Sequence, residues 1–209
     1  MENQMFCYQC PETAGGKGCT AGGMCGKKPA TAHLQDVLIY VTKGLAELAT
    51  AYHREGHAVS SDVTHMLEDN LFVTITNANF DDDFITARIE DTEKAKEALR
   101  QLLPKDFSLS EAALPLDMAS TAGNPHIGVL SEKDENKRSL LELITYGLKG
   151  LSAYLRHARV LQKESEEISN FLADALAKTL KQDLTLDDLL ALTMKTGEMG
   201  VKGMALLDE

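Results

Sequence analysis

Four cysteines, Cys7, Cys10, Cys19 and Cys25, crowd the start of the chain, and no other cysteine follows them. Their spacing is Cys-x2-Cys-x8-Cys-x5-Cys. Thiolate sulfur is a soft ligand that suits iron-sulfur clusters and zinc. Two residues between Cys7 and Cys10 let both sulfurs approach one centre from a single turn. Gly15, Gly16, Gly18, Gly22, Gly23 and Gly26 let the backbone fold back and bring in Cys19 and Cys25. Backbone N–H groups in such loops donate to cluster sulfides, and Lys17, Lys27 and Lys28 offset the negative charge of thiolate-bound iron.

An iron-sulfur centre is therefore the first reading. Zinc is the second, although structural zinc sites more often pair two Cys-x2-4-Cys clips and only Cys7 and Cys10 conform. A disulfide framework is the third. It conflicts with an N-terminus, MENQMFCYQC, that lacks the basic and then apolar pattern of a secretory leader. Spacing by itself leaves all three open.

The remaining composition limits what the cysteines can serve. A net charge of −11 with no basic stripe repels phosphate backbones and anionic lipid, so neither nucleic acid nor a membrane surface is expected as a partner. No stretch approaches the roughly 20 apolar residues of a membrane span, and a cytoplasmic location is expected. Apolar residues make up 44% of the chain but aromatics only 5%, with no Trp, so the core must be aliphatic.

The elements that must hold the cysteine loop are helical. After a cysteine- and glycine-rich loop at 1–30, Leu34, Val37, Leu38, Val41, Leu45, Leu48 and Tyr52 recur at steps of three and four, and Gly56 stops the helix. A second helix starts near residues 60–62, where Ser and Asp can cap it, and takes in the β-branched stretch 71–76 (LFVTIT) at its end. A third runs from the acidic cluster 81–83 to Leu103, before Pro104. Residues 104–136 hold Pro104, Pro115 and Pro125 and form a connecting segment. Three further helices follow, the last opened by Thr185 with Asp187 and Asp188.

A shift of 106 residues lays YVTKGL over YGLKGL, placing Tyr40 on Tyr146, Lys43 on Lys149 and Gly44 on Gly150. Without a gap it also lays Asp81 and Asp82 on Asp187 and Asp188. The predicted fold is all-α: the N-terminal cysteine-rich loop, then two consecutive three-helix bundles at 31–103 and 137–209 related by an internal repeat. The six histidines, His33, His53, His57, His65, His126 and His157, form no paired metal spacing and are assigned to packing or surface. Met194, Met199 and Met204 are expected in the core as aliphatic filler.

The segment MFCYQCPETAGGKGCTAGGMCGKKP resembles the N-terminal signature of the hybrid cluster proteins, also called prismane proteins or hydroxylamine reductases. The similarity continues through LITYGLKGLSAYLRHA and LTMKTGEMGVKGMALLDE, over essentially the whole chain. The resemblance implies a helical first domain whose Cys7, Cys10, Cys19 and Cys25 bind a cubane [4Fe-4S] cluster, the short spacing going with the cubane and a longer one with [2Fe-2S] members. Retention of both helical halves resembles the class from anaerobic bacteria. Members of the family are more than twice as long, and their later domains supply the ligands of a hybrid cluster where hydroxylamine or nitric oxide is reduced. With no cysteine after Cys25, these residues are not expected to be catalytically complete. The expected role is an electron-transfer domain, taking electrons from a donor protein and passing them to hybrid-cluster catalytic domains that this sequence lacks.

Overall fold

The computed structural model describes residues 5–208, and their regular structure is helical. Six α-helices run in order: α1 (Pro29–Arg54), α2 (Ser61–Val73), α3 (Asp82–Leu102), α4 (Glu135–Val160), α5 (Glu166–Lys178) and α6 (Leu186–Asp208). The first starts slightly earlier than its apolar pattern because Pro29, already set at a helical φ, occupies its first turn. Gly56, at φ 87°, ends it. The stretch 71–76 stays out of any strand: α2 closes at Val73, and the buried Thr74 turns its hydroxyl back onto the Leu71 carbonyl at 2.8 Å.

The internal repeat is visible in the element lengths. α1 and α4 are both 26 residues long and α2 and α5 both 13, so the long helices match at the shift of 106. The later elements slip from it, because each loop of the second half is one residue shorter. Asp81 caps α3 by accepting from the Phe84 N–H at 3.0 Å. Its counterpart is Thr185, which forms a reciprocal capping box with Asp188: the Asp188 N–H donates to Thr185 Oγ1 at 3.2 Å and the Thr185 N–H to Asp188 Oδ2 at 2.9 Å. The ungapped pairing of Asp81 with Asp187 is thus wrong by two residues. The loops absorb the deletions because helix phase is set by burial, whereas loop length is not.

The two halves do not keep separate cores. α3 packs along α1 and α6 along α4, but the short middle helices trade places: α5 lies mainly on α1, and α2 mainly on α4. Leu45 and Leu48 of α1, Leu67 and Leu71 of α2, Ile144 and Leu148 of α4 and Leu172 and Leu176 of α5 share one buried cluster. Ion pairs follow the same exchange. Arg54 of α1 meets Asp174 of α5 at 2.8 Å, and Arg159 of α4 meets Glu68 and Asp69 of α2 at 3.1 and 2.6 Å. A second cluster joins Val37, Tyr40 and Val41 of α1 to Ile85 and Ile89 of α3, closed by Ala112 from the connecting segment.

That segment contains three short 3-10 turns, at Glu111–Ala113, Met118–Ser120 and Val129–Ser131. The first crosses α1 at Gly44, where an added Cβ would stand 1.9 Å from the Ala112 carbonyl oxygen. The Ser110 N–H donates to the Glu47 carboxylate at 3.2 Å, and the buried Lys96 ammonium of α3 donates to the Leu114 carbonyl at 2.8 Å.

Candidate metal centre

The cysteine loop is drawn together by one pair of residues. Cys7 and Cys19 face each other as an antiparallel bridge, exchanging N–H···O bonds of 3.1 and 2.8 Å, with Met5 bonded to Thr20 alongside. A hydrogen-bonded antiparallel pair stands about 5.5 Å apart between Cα atoms, so the bridge brings the two ends of the eight-residue interval into one small volume. The intervening chain turns at Ala14–Gly16, and Thr13 ties it down by donating to the Cys7 carbonyl at 3.1 Å. Gly18, at φ 126°, lies against the Phe6 ring so closely that a Cβ would stand 2.7 Å away. Gly23 leaves space for the Cys25 sulfur, 3.1 Å from where a Cβ would be. The glycines therefore have specific tasks in seating the thiols.

The surroundings favour thiolate. Hydrogen bonding from the backbone at Ala14 and Met24 holds the Cys19 thiol below the ordinary range, against the opposing effect of burial. Thr13 Oγ1 lies 3.8 Å from that sulfur. Lys27, buried, brings its ammonium to 4.0 Å from the Cys7 sulfur. Of the three lysines singled out by sequence, Lys17 and Lys28 are exposed and only Lys27 is turned inward. Cys7 and Cys10 are partly buried, Cys19 is buried and Cys25 is exposed, and none of the four is disulfide-bonded. Among the described residues, no three Cys, His, Asp or Glu side chains converge closely enough to hold a metal ion.

Soft thiolate donors in a loop of this kind suit metal-bound sulfur chemistry, and the structure pairs two of them, Cys7 and Cys19. The four soft donors come from one glycine-rich loop, with the Lys27 ammonium near the Cys7 sulfur and the Thr13 hydroxyl near the Cys19 sulfur. Phe6 and Tyr8 pack beside the loop in a tilted arrangement, ring centroids 5.3 Å apart, with Tyr8 still 36% exposed.

Beneath the loop lies a charged layer that the sequence reading overlooked. Lys149 of α4, 2% exposed, donates to Gln9 Oε1 at 3.2 Å and to the Thr74 carbonyl at 3.0 Å, joining the loop between Cys7 and Cys10 to the end of α2. Lys43 is its repeat partner on α1. The same shift superposes Asp36 on Glu142, so each long helix contributes one acid and one lysine. Asp36, Lys43 and Glu142 line a cavity of about 420 Å³ together with Gln9 and Tyr40, whose buried hydroxyl has no protein partner. Burial, and then the nearby Glu142, push the Asp36 carboxyl up to about 7, against the pull of Lys149, Lys27 and Lys43. Burial likewise lowers Lys149 to about 8. The signal available in the sequence was the recurrence of Lys43 and Lys149 at one shift; the depth of the residues was not.

The histidines stay apart. His33 bonds Thr121 at 3.0 Å, His65 meets Glu164 at 3.2 Å, His126 meets Glu111 at 3.4 Å, and His57 stacks on Tyr52. The methionine expectation fails in part. Met199 is 1% exposed, whereas Met194 and Met204 are 77% and 46% exposed, because they lie on the opposite side of α6 from Met199.

The profile of the Prismane/CO dehydrogenase family matches residues 5–209. A hydroxylamine reductase of Desulfovibrio desulfuricans is 51% identical, the alignment covering 100% of this chain and 39% of that protein. Hydroxylamine reductases of Clostridium perfringens and Acetivibrio thermocellus are each 46% identical over 98% of the chain, covering 39% and 38% of those proteins. The chain thus spans about two fifths of the length of the curated relatives it matches. No helix among the described residues is long and apolar enough to cross a membrane.

Proposed function

The chain belongs to the Prismane/CO dehydrogenase family, and from that premise we propose that it is an electron-transfer domain whose Cys7, Cys10, Cys19 and Cys25 hold a [4Fe-4S] cluster. Such a cluster, when bound, accepts and releases one electron at a time. The observation that carries the reading is the Cys7–Cys19 bridge, whose paired N–H···O bonds close the cysteine loop. Lys27 offsets negative charge at Cys7, Gly18 lets the chain pass against the Phe6 ring, and Gly23 leaves room for the Cys25 sulfur. The partly open side at Cys25 and Tyr8 is where a donor protein approaches. Electrons pass on to a catalytic portion of the kind that the longer hydroxylamine reductases carry, in the cytoplasm, where thiols stay reduced.

The test is anaerobic purification followed by absorption and electron paramagnetic resonance spectra and by iron and sulfide analysis. Four irons and four sulfides per chain are expected, with a paramagnetic signal on one-electron reduction. A colourless protein with stoichiometric zinc and no sulfide would overturn the reading. Cys19→Ser should abolish the cluster signal while leaving the helical circular dichroism largely intact, since the aliphatic core is independent of the loop.

A further inference from the structure

Four helix pairings recur between the halves, but one covering contact does not. In the first half the chain that follows α3 returns over α1: Ala112 lies on Gly44, Ser110 is held by Glu47, and Glu93 and Lys96 of α3 grip Leu116 and Leu114. Val37 and Tyr40 beneath it are 0% and 5% exposed. At the matching places on α4, Leu143 and Tyr146 are 54% and 44% exposed, and a Cβ added at Gly150 meets nothing within 4 Å.

The outer face of α6 completes this surface. In register with α3, counted from the caps Asp81 and Thr185, it carries Leu186, Leu190, Met194 and Val201 where α3 carries Asp82, Thr86, Glu90 and Glu97. These four apolar side chains are 39–77% exposed and recur on one helical face. The clamps are exchanged too: Glu93 and Lys96 of α3 correspond to Gly197 and Gly200 of α6, and neither glycine would meet any atom if a Cβ were added. An interior helical glycine is disfavoured relative to alanine, and at these two positions no neighbouring atom requires one. α4 and α6 touch at Gly147 and Thr196, next to Tyr146 and Gly197, so the exposed stripes of the two helices adjoin.

We propose that the Leu143–Tyr146–Gly150 face of α4 and the Leu190–Met194–Val201 face of α6 form the docking surface for the polypeptide that follows this stretch in the longer relatives. The first half shows the pattern: the chain leaving its third helix folds back over its first. By the repeat, the chain leaving α6 returns over α4. About three fifths of each relative lies outside the matched portion, enough to supply the cover. The clamp residues of α3 are replaced by glycines, so the occupant is apolar, with bulky side chains seated in the notches at Gly150, Gly197 and Gly200. The proposal rests on the reading that a catalytic portion partners this domain, but not on the identity of the metal.

Hydroxyl-radical footprinting read by mass spectrometry tests it, comparing the 209-residue chain with a full-length chimera in which this chain replaces its counterpart in the Desulfovibrio desulfuricans relative. Met194 and Tyr146 should be freely oxidised in the isolated chain and protected about tenfold or more in the chimera, while Val160, 75% exposed elsewhere, reacts equally in both. Equal reactivity of Met194 in both proteins would overturn the proposal. So would self-association of the isolated chain that Leu190→Glu abolishes, because the occupant would then be a second copy. As a measurement that does not need the chimera to fold, Leu190→Glu and Met194→Glu should leave the unfolding midpoint of the isolated chain essentially unshifted; a large loss would mean that the face is already engaged. Protection without iron in the chimera would retain the surface and sink the cluster reading, and iron without protection would do the reverse.

Discussion

Tyr40 and Tyr146 occupy matching positions in the two long helices, yet one is 5% exposed and the other 44%. Val37 and Leu143 differ still more, at 0% and 54%. The helices have the same length and the same relation to their neighbours, so the contrast does not lie in the repeated unit. It comes from the connecting segment, which crosses α1 and leaves α4 bare at Gly150. Identical scaffolds thus reach different burial through a few residues that the repeat does not encode.

The most severe way to break the contrast is at its glycines. Gly44→Ala forces a methyl group into the Ala112 carbonyl, 1.9 Å away, and should cost about 3 kcal/mol or more in urea unfolding. Gly150→Ala meets open space and should instead stabilise the isolated chain by up to about 1 kcal/mol. Equal effects at the two sites would show that the cover over α1 is not a built contact. Val37→Ser should cost about 2–3 kcal/mol by burying a hydroxyl among Tyr40, Ile85 and Ile89. At the exposed Leu143 the same change should stay within about 0.5 kcal/mol.

The charged layer offers a comparison that depends on pH. The Asp36 carboxyl is raised in the folded state from 3.8 to about 7, so its contribution to stability is complete below 3.8 and is lost as pH rises through about 7. Lys149 is lowered from 10.5 to about 8, so its contribution is present above 10.5 and is lost as pH falls through about 8. Together they place the least favourable window between about 7 and 8. Asp36→Asn should remove the acid-side slope and stabilise the protein at neutral pH by roughly 1–3 kcal/mol. Glu142→Gln, acting from the other half, should move the slope to lower pH because Glu142 helps to raise Asp36. A denaturation midpoint flat from pH 4 to 8 in the parent protein would refute both.

The smallest expected effects concern the helix caps. Asp81→Ala and Thr185→Ala should each cost about 1 kcal/mol in thermal unfolding, and Asp187→Ala only a few tenths. Comparable losses at Asp187 and Thr185 would restore the ungapped shift of 106 at this helix pair.

Much of this was legible in the sequence because it is local. Caps, Pro29, Gly56 and the apolar spacing decide helices within a few residues, and the four cysteines stand out by type and interval. What escaped was set across long separations. Lys149 reaches Gln9 from 140 positions away. Lys27 cannot be told from Lys17 or Lys28 until the loop is closed, and the depth of Asp36 depends on α1, α4 and the loop at once. Met194 looked like core because an apolar residue on a helix face does not say whether that face is covered.

The exchange of α2 and α5 bears on how the molecule is made. A ribosome releases α1, α2 and α3 before α4 exists, so the first three helices leave the tunnel without the surface on which α2 will rest and without α5 to close over α1. Their native contacts wait for residues more than 90 positions downstream, such as the Arg159 that pairs with Glu68. Long waits of this kind raise contact order and slow assembly. Expressed as two separate pieces divided in the connecting segment, neither half should hold its tertiary structure alone, whereas mixing them should restore it.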